Sequence, residues 1–333
     1  MTLPFRRIPN LLRAEMSFAL SRLGIVRVRH LPAFVSVEPA AVCQLHCPEC
    51  PVGQANKQST IKRSVTINQS TILPLPLFER ILAEVAPTAH TMQFYFQGEP
   101  LLNRDLPMMI RRAHEAGLYT IVSTNAQALT RELAERLVEA GLSRIIVSID
   151  GFSQQSYEAY RQGGSLERAL AGLRALSEAK QTLGARRLTI VLQVLRLRTN
   201  EHEWPWIAQH YRELGADRLE FKTAQLYNYE QGHPLMPTDE RYSRYRKGKD
   251  NRYHLKRNKT LFFSPCHRLW TGCVVTTRGE VLPCCYDKAS AHSYGNIQQQ
   301  SMRELFQGPR AHALRRVVLC TSSRLDICHN CVQ

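Results

Sequence analysis

Between residues 34 and 222, six short β-rich runs alternate with amphipathic helical runs, which confines this part of the chain to a parallel sheet with helical crossovers. The strand-like runs lie at 34–38, 92–96, 119–123, 144–149, 188–195 and 218–222, and helical patterning falls at 75–86, 105–116, 130–140, 166–183 and 202–214. Gly117, Gly141, Gly184 and Gly215 stand where helices should stop, and Asp105, Thr130 and Ser165 where N-caps should sit. Open doubly wound sheets and barrels both satisfy this pattern, but the placement of polar residues separates them. The cysteines at 43–50, Gln97-Gly98-Glu99-Pro100, Ser123-Thr124-Asn125, Ser148-Ile149-Asp150-Gly151, Gln193 and Lys222 each follow or end a strand. Chemistry spread over the carboxyl ends of all six strands is a barrel arrangement with one active rim. The expected fold is therefore α/β, a partial (β/α)6 TIM-like barrel.

At 333 residues the chain has room for a large domain and a smaller one. No run approaches the ~20 apolar residues of a membrane span. The N-terminal run 11–26 is interrupted by Arg13, Glu15 and Arg22, and reads as an amphipathic helix closing one end of the domain. Arg6 and Arg7 precede it, yet no small-residue cleavage site follows. A cytoplasmic location is expected, where cysteines stay reduced.

The ten cysteines are clustered. Three lie at 43, 47 and 50, seven lie between 266 and 331, and the 215 residues between the groups hold none. Such clustering points to metal rather than to disulfides. Cys43-x3-Cys47-x2-Cys50 offers three thiolates where a closed zinc site wants four ligands; His46 could supply the fourth. On a four-iron cluster, three thiolates leave one iron for a small molecule. In the C-terminal segment Cys266, Cys284, Cys328 and Cys331 suffice for either a fully ligated [4Fe-4S] cluster or a four-thiolate zinc site, and spacing alone does not choose.

The cysteine triplet after the first strand, GEP after the second, STN and SIDG after the third and fourth, and the C-terminal cysteines together resemble the radical S-adenosylmethionine (SAM) superfamily. The resemblance covers about residues 35–331. The run Cys266…Trp270…Gly279…Pro283-Cys284-Cys285…Gly295-Asn296…Cys328-x2-Cys331 is similar to the shortened SPASM or twitch domain of that superfamily. It implies a catalytic [4Fe-4S] cluster on Cys43, Cys47 and Cys50, whose open iron chelates SAM. SAM would be cleaved to a 5′-deoxyadenosyl radical that abstracts hydrogen from a substrate. One auxiliary [4Fe-4S] cluster would sit on Cys266, Cys284, Cys328 and Cys331. Gly98 and Glu99 would hold the SAM amino group. Ser123, Asn125 and Ser148 would approach its methionine and ribose parts, Arg161 would pair with its carboxylate, and Gln193 would lie near the nucleoside. Of the leftover Cys273, Cys285 and Cys320, Cys320 is the candidate hydrogen-atom donor.

Two positions depart from the family pattern: Gln97 stands where many members have a first glycine, and Glu49 where many have an aromatic covering the adenine. The expected organisation is an N-terminal helical extension (1–32), the barrel (33–225), a basic linker (226–262) and the auxiliary-cluster domain (263–333). The net charge of +16, and the nine Lys or Arg at 241–259, suit an anionic partner. The favoured substrate is a peptide, with Tyr227, Tyr229 and the basic run placed where it could thread. The alternative is dehydrogenation or epimerisation of a small alcohol or amino sugar. RNA modification rests on the charge alone, and a zinc scaffold leaves the strand-end motifs unexplained. The resemblance further implies a reductant such as flavodoxin or ferredoxin.

Overall fold

The computed structural model describes residues 7–58, 71–256, 266–321 and 325–331. Strands β1 (Phe34–Val37), β2 (Thr91–Phe94), β3 (Tyr119–Thr124), β4 (Arg144–Ser148), β5 (Thr189–Arg196) and β6 (Arg218–Thr223) are parallel and adjacent in chain order. Successive neighbours with no reversal of order give the winding of a barrel wall and exclude the switch point of a doubly wound sheet. Helices α1 (Ile8–Ser21) and α2 (Pro51–Gln58) come early. The crossovers that follow are α3 (Leu75–Val85), α4 (Leu106–Glu115), α5 (Arg131–Glu139), α6 (Gln154–Glu158) with α7 (Leu166–Thr182), and α8 (Trp204–His210).

The caps follow the sequence in two cases of three. Thr130 Oγ1 accepts from Leu133 N, and Ser165 Oγ from Arg168 N. Asp105 occupies its N-cap position without a side-chain capping bond, and its own N–H donates to Asn103 Oδ1. The four helix-stop glycines all adopt positive φ.

Alternate strand residues serve two cores. Val35, Val37, Met92, Phe94, Val122, Ile145, Val147, Ile190 and Leu192 pack beneath the helices. Ile121, Ile146 and Val191 form a smaller cluster with Tyr95 and Tyr119 on the inner face. The two-residue period of a strand dictates this division.

The segment after β6 departs from the expected plain linker. It contains an antiparallel hairpin, β7 (Tyr245–Lys247) with β8 (Tyr253–Leu255). Residues 257–259 of the basic run and 59–70 of the long loop expected at 54–72 lie outside the described residues, as do Arg6 and 263–265. Helix α9 (His267–Thr271) then leads into β9 (Gly272–Val275), which pairs in parallel with β1, Phe34 opposite Gly272. Strands β10 (Glu280–Leu282) and β11 (Gly295–Asn296) continue antiparallel, making one nine-stranded sheet. Helices α10 (Met302–Gln307) and α11 (Pro309–Thr321) cover it. The cysteine-rich segment thus extends the barrel wall from its first strand.

Helix α1 lies across the amino ends of β2 and β3, where the Arg7 guanidinium donates to the carbonyls of Ala86, Ala116 and Gly117. Its buried side is Asn10, Ala14, Ser17 and Ser21, so the face turned inward is small and polar rather than apolar.

Buried Asn103 ties the GEP loop to its surroundings. Its amide donates to Pro39 O (2.9 Å) and Leu73 O (3.1 Å), and its Oδ1 accepts from Asp105 N (2.9 Å). Asn103→Leu leaves these groups buried and unmatched, and should lower unfolding free energy by about 2–4 kcal/mol in urea titrations. A loss near zero would show that the loop rearranges at no cost.

Candidate active site

The cysteine loop leaves the end of β1 and runs into α2. Leu45 N and Asn125 Nδ2 each donate to Cys43 Sγ at 3.4 Å, and His46 N donates to Gln162 O at 2.9 Å. The loop is therefore held from the third strand end and from the YRQGG stretch. Gly98 packs directly upon it, and a Cβ there would lie 2.2 Å from Ala40 O and 2.6 Å from Val42 O. Any side chain at 98 would displace the loop, so the glycine is required whatever else it contacts.

Glu99 is buried, and three donors reach its carboxylate. Leu101 N (3.1 Å) and Thr124 Oγ1 (2.7 Å) donate to Oε1, and Asn125 N (2.8 Å) donates to Oε2. Burial raises its pKa, with the three hydrogen bonds opposing. An ionised carboxylate has about four acceptor positions, so one on Oε2 is left for a further donor such as an ammonium.

Arg161 is a mostly buried residue. Its Nε donates to Asp150 Oδ2 at 2.6 Å, and its guanidinium also meets the Cys47 thiol. Burial alone would lower its pKa, but Asp150 and Cys47 outweigh it and the net direction is upward. Asp150 is fixed in turn, with Oδ1 accepting from Leu195 N at 2.6 Å. Ser148 and Gln193 are register partners on adjacent strands. Ser123, Asn125, Ser148 and Gln193 thus all lie at or near the carboxyl ends of β3, β4 and β5.

The C-terminal cysteines come from separate elements. Cys266 precedes α9, Cys284 follows β10, and Cys328 and Cys331 flank the final turn. Electrostatic coupling links Cys266 with both Cys284 and Cys331. The leftover cysteines separate by position. Cys320 is exposed on α11, while Cys273, buried near Arg315, and Cys285 both line an inner cavity of about 500 Å³. That cavity is bounded by Ser36, Gln93, Tyr95, Arg268, Cys284 and Lys288, among others.

Burial pushes the thiols of Cys43 and Cys284 up to about 12, so a metal that binds them would have to displace a proton from each. Among the described residues, no three His, Cys, Asp or Glu side chains converge closely enough to hold a single metal ion. Thiols set apart on one loop, and again in the C-terminal segment, form a donor set that fits a polynuclear iron–sulfur cluster, in which each thiolate binds its own iron.

Residues 37–205 match the radical SAM superfamily, and residues 266–332 match an iron–sulfur cluster-binding domain. This chain belongs to the radical SAM superfamily and carries its auxiliary iron–sulfur domain. A PqqA peptide cyclase of Bradyrhizobium diazoefficiens is 29% identical over 215 residues, covering 62% of this chain and 51% of that protein. The chain spans about half the length of the curated relatives it matches. Among solved structures, BtrN in complex with AdoMet and 2-DOIA superposes with a TM-score of 0.54 at 18% identity, covering 91% of this chain and 94% of that one. Streptococcus suis SuiB bound to precursor peptide SuiA gives 0.60 at 14%, covering 89% and 69%. At these identities the likeness is one of fold.

The sequence reading did not foresee the use made of Glu49, Gln97 and Lys288. Glu49 Oε2 accepts from Tyr227 N at 2.5 Å and Oε1 lies 3.4 Å from His233 Nε2, so the cysteine loop grips the segment after β6. Gln97 Nε2 donates to Lys288 O at 2.9 Å, and Lys288 Nζ donates to Phe96 O at 3.3 Å. The available signal was the departure of Glu49 and Gln97 from the family pattern.

Glu38, buried beyond the end of β1, accepts from Thr277 N at 3.4 Å. Burial pushes its pKa up to about 7, with Thr277 and Lys288 opposing. A carboxylate with a raised folded pKa stabilises the fold only while protonated, so its contribution is lost as pH rises from the unfolded value of 4.5 through about 7. Glu38→Gln should therefore gain about 2–4 kcal/mol on the wild type between pH 4.5 and 8, read from urea midpoints across that range. A constant difference with pH would contradict the raised pKa.

Proposed function

We propose that this protein modifies a peptide by hydrogen-atom abstraction, with the substrate seated on the inner face of the sheet between the two cysteine sites. When bound, the cluster and SAM supply the one-electron chemistry that makes the abstraction possible. Cys43, Cys47 and Cys50 would hold the catalytic cluster, and Cys266, Cys284, Cys328 and Cys331 the auxiliary one. Gly98 and the remaining acceptor position on Glu99 would receive the SAM amino group, with Ser123, Asn125, Ser148 and Gln193 along its length. Arg161 would keep part of its fork for the SAM carboxylate while Asp150 holds its Nε. Cys320 is exposed on α11, so its position lends no support to a hydrogen-donor role. A flavodoxin or ferredoxin would deliver the electron.

The observation that carries the peptide reading is a pair of cavities sharing Lys288. One is the inner cavity of about 500 Å³; the other, of about 360 Å³, is lined by Tyr227, Tyr229, Tyr286 and His329 at the junction of the two segments. Together they suit an extended chain better than a small alcohol.

Two cations argue that the reacting part of the substrate is acidic. Arg268 donates to the Cys285 thiol at 3.0 Å and Lys288 to the Phe96 carbonyl. Among the described residues, neither forms an ion pair with a carboxylate, although Cys285, Cys50 and then Glu38 act on Lys288 from farther off. Lys288 is half-buried and Arg268 exposed at the cavity edge, and a cation partly withdrawn from water gains from a substrate anion that meets it.

The test is anaerobic incubation of the reconstituted protein with SAM, dithionite, and a defined set of acidic and charge-neutral peptides. 5′-Deoxyadenosine should form, with a mass change confined to acidic peptides and weakened about tenfold or more by Arg268→Gln or Lys288→Gln. Absence of 5′-deoxyadenosine would overturn the radical reading; equal turnover of acidic and neutral peptides would overturn the anionic one.

A further inference from the structure

Helix α1 packs Phe18 against the core but turns a second apolar stripe away from the protein. Leu12 and Met16 are 63% and 59% exposed and with exposed Ala19 follow the four-and-three spacing of one helical face, while Leu23, 75% exposed, lies in the turn that follows. Ile25, 45% exposed, extends the stripe past the helix end. These four are half of the eight large hydrophobic residues exposed among the described residues, and include the three most exposed. Such concentration is not the scatter expected of an ordinary surface. Arg13, Arg22, Arg27 and Arg29 are exposed around the stripe, while Glu15 is occupied by His267 at 3.0 Å.

We infer that α1 and the turn after it form a docking face for an anionic lipid surface. The apolar side chains enter the headgroup boundary, and the arginines meet the phosphates. The charge favours lipid over a second copy of this chain, because a self-complementary contact would bring the same arginines face to face. The placement leaves catalysis unobstructed. Helix α1 lies at the amino ends of β2 and β3, whereas the cysteine loop, Glu99 and Asn125 lie at the carboxyl ends. Among the described residues no helix is long and apolar enough to cross a membrane, so attachment is at the surface.

Co-sedimentation of the full reconstituted chain with phosphatidylglycerol-containing vesicles, and with pure phosphatidylcholine vesicles, tests this. The anionic vesicles should carry down the wild type, and the neutral ones should not. Leu12→Gln/Met16→Gln/Leu23→Gln should weaken binding at least tenfold, and Arg13→Gln/Arg22→Gln should weaken it most at low salt and flatten its dependence on salt. The substituted residues are exposed, so folding is checked simply by matching thermal midpoints. No wild-type binding overturns the inference. So does binding that the triple variant leaves unchanged, which would move the contact to the basic hairpin. A wild-type dimer abolished by the triple variant, without vesicle binding, would make a second copy the occupant and also overturn it.

Discussion

The buried carboxylate of Glu99 is the knot on which the rim depends. It draws the loop after β2 onto the end of β3 through Leu101, Thr124 and Asn125, and the Glu99 N–H donates to Val42 O in the cysteine loop at 2.8 Å. Asn125, fixed by Glu99, reaches back to Cys43 with its side chain. Gly98 permits the close approach that makes the knot possible. A carboxylate out of water is costly unless hydrogen-bonded, and here three donors offset that cost while fixing three loops relative to one another. The cysteine triplet therefore rests on a frame built by its neighbours.

A second set of contacts joins the barrel to the cysteine-rich segment. Glu49 grips the chain near Tyr227 and His233, Gln97 and Lys288 exchange bonds with each other's loops, and Tyr245 Oη links Leu226 to Asn330 beside the final cysteines. The pairing of β9 with β1 adds a backbone joint. These contacts wall the inner cavity and bring Arg268 and Lys288 to it, which is the physical basis for reading an acidic substrate.

Much of the fold was legible because it is written in local pattern. Strand alternation, the caps at Thr130 and Ser165 and the glycine stops are each decided within a few residues, and tertiary structure left them standing. The strand-end motifs were legible in the same way, and the structure brings them to one rim. What escaped was long-range. The β1–β9 ladder joins residues more than two hundred positions apart, and β9 is buried throughout, so its short apolar run carries no period to read. The hairpin in the basic segment was hidden by its charge, although Arg244 donates to Asn330 O and Lys256 to Ser243 O in holding it. The polar inward side of α1 was not legible, because Asn10 and the preceding Arg7 pack by hydrogen bonding to strand-entry carbonyls, which no hydrophobic pattern reports.

Two cysteine sets are proposed to hold two iron–sulfur clusters, the first of them on the loop after β1. The most direct measurement is iron and labile sulfide per chain after anaerobic reconstitution, in the wild type and in a Cys43→Ala/Cys47→Ala/Cys50→Ala variant. About eight irons are expected in the wild type and about four in the variant. Equal iron in both, or zinc with little iron in the wild type, would contradict the proposal.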